Sequence, residues 1–98
     1  MNLSGCLFAY DGRITTVDYK NDYAEPVLVF IEGSSPEYGT QVKSQSSNAY
    51  PLQGCFGDGL RVETESGVVL GRVDEQACPD WLLTINEDGS LTYEEITY

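Results

Sequence analysis

At 98 residues the chain is long enough for one domain with its own core, without metals or a disulfide framework. Sixteen Asp and Glu against five Lys and Arg, with no His, give a net charge of -11. That balance argues against a basic nucleic-acid groove and an anionic membrane surface, while 41% apolar and 11% aromatic residues exclude a disordered chain.

Gly5 to Tyr10 and Arg13 to Tyr19 read as strands joined at Asp11-Gly12, because Gly tolerates the positive φ of a tight hairpin. Two- and three-residue turns are both compatible with that hairpin. Lys20 to Glu25 is a polar connection, with Tyr19 and Tyr23 spaced for one helical turn. Val27 to Ile31 is the longest unbroken apolar run, set between Pro26 and the turn formers Gly33 to Pro36. It reads as a strand apolar on both faces, Leu28 and Phe30 on one, Val27, Val29 and Ile31 on the other. Such a strand needs cover twice, from barrel closure or from a second subunit.

Tyr38 to Ser44 has the alternation of a half-exposed strand. Gln45 to Gly59 lacks a period and reads as a long, partly packed loop carrying Tyr50, Leu52 and Phe56. Leu60 to Val73 reads as a hairpin turning at Ser66-Gly67. It groups Leu60, Val62 and Thr64 with Val69, Gly71 and Val73. Its other face sets Arg61 opposite Arg72, with Glu63 placed to offset the like charges; Gly71 signals a bulge, a bend or a close approach.

Asp74 to Asp80 is a polar crossover. Trp81 to Ile85 and Leu91 to Ile96 form the last hairpin. A three-residue loop, Glu87-Asp88-Gly89 with Gly89 left-handed, groups Trp81, Leu83 and Ile85 with Leu91 and Tyr93. A two-residue turn would set Leu83 against Glu94, so the apolar match selects the longer loop. The whole predicts a single all-β domain over 1–98. It is a small antiparallel barrel or strongly bent sandwich of about seven or eight short strands, built from hairpins.

Cys6, Cys55 and Cys78 are odd in number, without a CxxC pair. One bridge with one free thiol is compatible, but reduced cysteines in a cytoplasmic protein are the simpler expectation. No leader-like segment and no bilayer-length apolar stretch is read, in line with that compartment.

Few residues point to chemistry. Gly54 to Gly59 is glycine-rich but runs into a strand and lacks the Lys-Ser/Thr ending of a phosphate loop. Cys55 has no His to activate it. Asn86, Asp88 and Ser90 imitate the start of a calcium loop, but turn chemistry explains them better. Glu63 and Glu65 share a strand face and read as solvated. No catalytic residue, metal ligand or cofactor is therefore expected.

Tyr50, Leu52 and Phe56 are the candidate partner-binding residues, since aromatic side chains in an irregular segment serve recognition. The expected function is a non-enzymatic binding or interaction protein, self-associating as a homodimer. One alternative is an acidic inhibitor that mimics nucleic acid toward a basic protein partner. Another is a small carboxylate-dependent enzyme or ligand-binding barrel, with an enclosed carboxyl of raised pKa.

Overall fold

The computed structural model describes residues 15–97. These form eight strands: β1 (Thr16–Asn21), β2 (Val27–Glu32), β3 (Gly39–Val42), β4 (Ser46–Pro51), β5 (Gly59–Thr64), β6 (Val69–Val73), β7 (Trp81–Ile85) and β8 (Leu91–Glu95). They make two four-stranded sheets, ordered β4-β1-β7-β8 and β3-β2-β5-β6, packed as a sandwich. The barrel alternative gives way: β3 lies beside β4, and β6 beside β8, without a ladder joining the sheets. At one of these margins a side chain bridges instead, Asn48 Nδ2 donating to Gln41 O at 2.9 Å.

All pairings are antiparallel except β1 with β7, which run parallel with Tyr19 beside Leu83. The expected turn at Asp11-Gly12 and the strand before it lie outside the described residues. Asp18 to Asn21 already has β4 on one edge and β7 on the other. The connection after Asn21 forms bends rather than a helical turn.

β2 is central to its sheet, and its faces divide as the sequence predicts. Val27, Val29 and Ile31 are buried; Leu28 and Phe30 are half-buried on the outer face. Barrel closure does not cover that outer face. Its cover comes from charged neighbours, with the Arg61 guanidinium 4.6 Å above the Phe30 ring. Arg61 also donates to Glu63 (2.7 Å), Glu32 (3.1 Å) and Glu37 (3.1 Å), and Arg72 donates to Glu32. Arg72 first, then Arg61, holds the Glu32 carboxyl below its usual range. The like-charged Arg61–Arg72 pair, directly opposite across β5 and β6, is thus bridged mainly through Glu32.

The β5–β6 hairpin carries a bulge between Val62–Gly71 and Glu63–Val69. The extra residue is Leu70, which packs against the core, while Val69 faces solvent. Uninterrupted alternation would group Val69 with the core face; the bulge reverses that. The last hairpin matches its expected register, Ile85 with Leu91 and Leu83 with Tyr93. Gly89 takes φ 88° and its N–H donates to Asn86 O, as the three-residue loop requires.

The core joins Val17, Tyr19, Leu83 and Ile85 of one sheet to Val27, Val29, Ile31, Val42, Leu60 and Val62 of the other. Tyr19 is fully buried, and its hydroxyl has no hydrogen-bond partner among the described residues. Burial, with Tyr93 and Tyr50 nearby, holds its pKa far above the usual tyrosine value. A buried unsatisfied hydroxyl costs free energy, so Tyr19→Phe should stabilise the protein by about 1 kcal/mol. The measurement is a higher urea midpoint at unchanged slope. A lower midpoint would reveal a partner for the hydroxyl.

Candidate functional site

The predicted loop at Gln45 to Gly59 is largely structured. Ser46 to Pro51 is β4, an edge strand fixed by its ladder with β1, Val17 opposite Tyr50. Its side chains are mostly exposed, so it lacks the apolar alternation that betrays a half-buried strand. The irregular part begins at Leu52 and is tied down twice. Phe56 and Ala77 exchange backbone hydrogen bonds of 2.8 and 3.0 Å, and beside them Cys55 is disulfide-bonded to Cys78. This corrects the expectation of reduced cysteines. The two lie 23 residues apart in sequence, yet the fold brings their Cα atoms to 4.1 Å. Tyr93 secures the same crossover, its hydroxyl donating to Gln76 O (2.8 Å) and accepting from Cys78 N–H (3.0 Å).

With this segment fixed, Tyr50 and Phe56 converge on one cavity of about 230 Å³ at an end of the sandwich. Ile31 also lines it, as do Ser34, Ser35 and Pro36 from the turn after β2, and Tyr38 and Thr40 at β3. Tyr38 is 70% exposed and Phe56 46% exposed, while Tyr50 is half-buried. The turn is held by Ser34 Oγ, which donates to Ile31 O at 2.8 Å, and the Ser35–Pro36 peptide is cis. Gly57 sits beneath with φ 82°, where a Cβ would strike Ile31 and the Glu32 carbonyl. The glycines that resemble a phosphate loop thus let this segment lie on β2.

A second depression, about 340 Å³, adjoins the first and shares Tyr50 and Phe56; Pro51, Leu52, Gln53, Gly54 and Cys55 complete it. Leu52 is only 9% exposed and packs in the core, unlike the two aromatics expected to act with it. The sequence reading missed Tyr38 and Pro36. The available signal was an aromatic residue flanking a Gly-Ser-Ser-Pro turn.

No carboxylate lines either depression. Glu32 and Asp88 both shift toward lower pKa, the opposite of a general acid poised near neutrality. Asp88 accepts from Ser90 N–H (2.9 Å) and Oγ (2.6 Å), so the turn engages the carboxylate of the calcium-like stretch. No cluster of three or more metal-ligating side chains occurs among the described residues. Acids stand on both sheets, at Asp18 and Glu94 on one and Glu32 and Glu63 on the other, and at the Glu87-Asp88 hairpin tip. No helix among the described residues is long and apolar enough to cross a membrane. Comparisons with protein-family models, curated proteins and solved structures find no match for this chain.

Proposed function

We propose that the protein is a non-enzymatic binding module whose recognition surface is the aromatic cavity of Tyr38, Tyr50 and Phe56. The carrying observation is that Tyr38 and Phe56, exposed and remote in sequence, line one cavity with Tyr50. Large aromatic side chains left open on a secured frame favour recognition, since little ordering cost falls on the bound state. A cavity without a carboxylate offers less support for a carboxylate-dependent enzyme. Acids spread over both sheets, several paired with Arg61 and Arg72, lend little support to a nucleic-acid mimic directed at a basic partner.

Self-association also loses its first motive, because the outer face of β2 is covered by its own Arg61. The Cys55–Cys78 bond favours an oxidising compartment over the cytoplasm, where thiols are kept reduced.

The test is a fragment and short-peptide screen read by amide NMR. Bound molecules should shift the amides of Tyr38, Tyr50 and Phe56 together. Tyr38→Ala and Phe56→Ala should abolish those shifts while changing stability by no more than about 0.5 kcal/mol, as exposed side chains allow. Ligands that gather elsewhere, or an absence of ligands, would overturn the reading.

A further inference from the structure

We propose that the cavity receives a methylated ammonium head group, the chemistry shared by choline and trimethyllysine. This rests on the binding reading above and names the ligand class. Tyr38, Tyr50 and Phe56 reach the cavity from separate segments, so their rings can contact one guest from different directions. Ring faces carry negative potential, and aromatic side chains around one site hold a cation through that potential. The chain already makes such a contact on its outer face, between Arg61 and Phe30.

Charge favours the same class. No Lys or Arg lines the cavity. Asp58 stands at its margin, next but one to Phe56. Its carboxylate lies so close to Gly33, which precedes the cavity's Ser34, that a Cβ on Gly33 would meet Oδ2 at 2.5 Å. That carboxylate has no side-chain ion pair or hydrogen bond among the described residues, whereas Glu37 nearby is paired with Arg61. The net charge of -11 adds a long-range field that draws cations in.

Methylation distinguishes the guest from ordinary lysine. A primary ammonium brings three N–H donors, each needing an acceptor once water is expelled. Ring faces, Ile31 and Pro36 supply none, so the side-chain acceptors left in the lining are neutral hydroxyl oxygens, with no carboxylate among them to pair a primary ammonium. A quaternary ammonium has no N–H to satisfy and presents methyl groups to the rings. Size agrees: 230 Å³ is below the range of about 300–1,000 Å³ for whole small-molecule ligands, so it suits a head group. The rest of the ligand would run into the adjoining depression, which shares Tyr50 and Phe56.

The experiment titrates the protein with choline, trimethyllysine, lysine and the neutral carbon isostere of choline, following the amides of Tyr38, Tyr50 and Phe56. Choline or trimethyllysine should bind saturably and more tightly than lysine, and at least about tenfold tighter than the isostere, given about 0.5–1 kcal/mol for each of three exposed ring contacts. The tighter of the two identifies the source, a choline-bearing molecule or a modified protein. Tyr38→Leu, which keeps apolar bulk but removes the ring, should weaken binding about fivefold, one such contact. Equal binding of the isostere would overturn the cation assignment and leave an apolar binding site. Failure of all four probes, while the fragment screen still maps to the cavity, would overturn this inference alone. Failure of both experiments would overturn the binding reading as well.

Discussion

Asn21→Ala should lower stability by about 3 kcal/mol, more than truncation of any exposed side chain described above. Asn21 is fully buried at the end of β1. Its Nδ2 donates to Glu25 O (2.8 Å) and Val42 O (3.1 Å), and its Oδ1 accepts from Tyr23 N–H (2.9 Å). Its own carbonyl accepts from Gln45 N–H at 2.8 Å. One side chain thus secures the bends between β1 and β2 and ties the first sheet to β3 of the second. Alanine leaves two carbonyls and one amide without this partner, each costing about 1–3 kcal/mol where water cannot reach it.

Asn21→Asp adds a sign. It keeps the acceptor for Tyr23 but sets a carboxylate against two carbonyl oxygens, which raises its folded-state pKa. Its stability should therefore be greatest below the usual Asp pKa and fall as pH rises through the folded-state value. Urea unfolding of each variant at acidic and neutral pH measures both effects. A loss under about 0.5 kcal/mol for Asn21→Ala would mean that water replaces the side chain.

Removing the disulfide should cost a similar amount, about 3 kcal/mol, by releasing the unfolded chain from a closed loop. The bond spans 23 residues and encloses the β5–β6 hairpin. Cys55→Ala/Cys78→Ala, or reduction of the native protein, should lower the urea midpoint by that equivalent. Cavity affinity should fall too, because Phe56 lies next to Cys55 and its hydrogen bonds to Ala77 lie next to Cys78. Faster hydrogen exchange at Phe56 and Ala77, with β7 and β8 unchanged, would separate this local loosening from the global loss. Unchanged stability on reduction would show that the Phe56–Ala77 bridge and the Tyr93 hydroxyl suffice.

What could be read in advance depends on distance along the chain. The register of β7 with β8 was legible because four consecutive residues, Asn86 to Gly89, set both the turn and the apolar match. The two faces of β2 were legible from alternation alone. β4 was not, because its polar side chains carry no pattern and its pairing depends on β1. The bulge at Leu70 was only hinted at by Gly71 beside it. The parallel β1–β7 pair, the Cys55–Cys78 bond and the reach of Asn21 to Val42 all join distant segments, which local periodicity does not encode.

The candidate site was half visible for the same reason. Tyr50 and Phe56 stood out as aromatics in a stretch without period. Tyr38 joins them only because β3 and β4 go to different sheets and bring the turn after β2 alongside the 50–56 segment.

The parallel pairing of β1 with β7 also governs when the molecule can fold. All four strands of the second sheet lie between Val27 and Val73, so their hydrogen bonds need nothing from later in the chain. Among the described strands β1 is synthesised before the others but must wait for Trp81 to Ile85 before its second neighbour exists. Until then Val27, Val29 and Ile31 lack the Leu83 and Ile85 that cover them in the core. A nascent chain halted before Trp81 would therefore expose apolar surface that invites association. Closure of the sandwich waits for β7, at the millisecond-to-second pace of long-range β pairing.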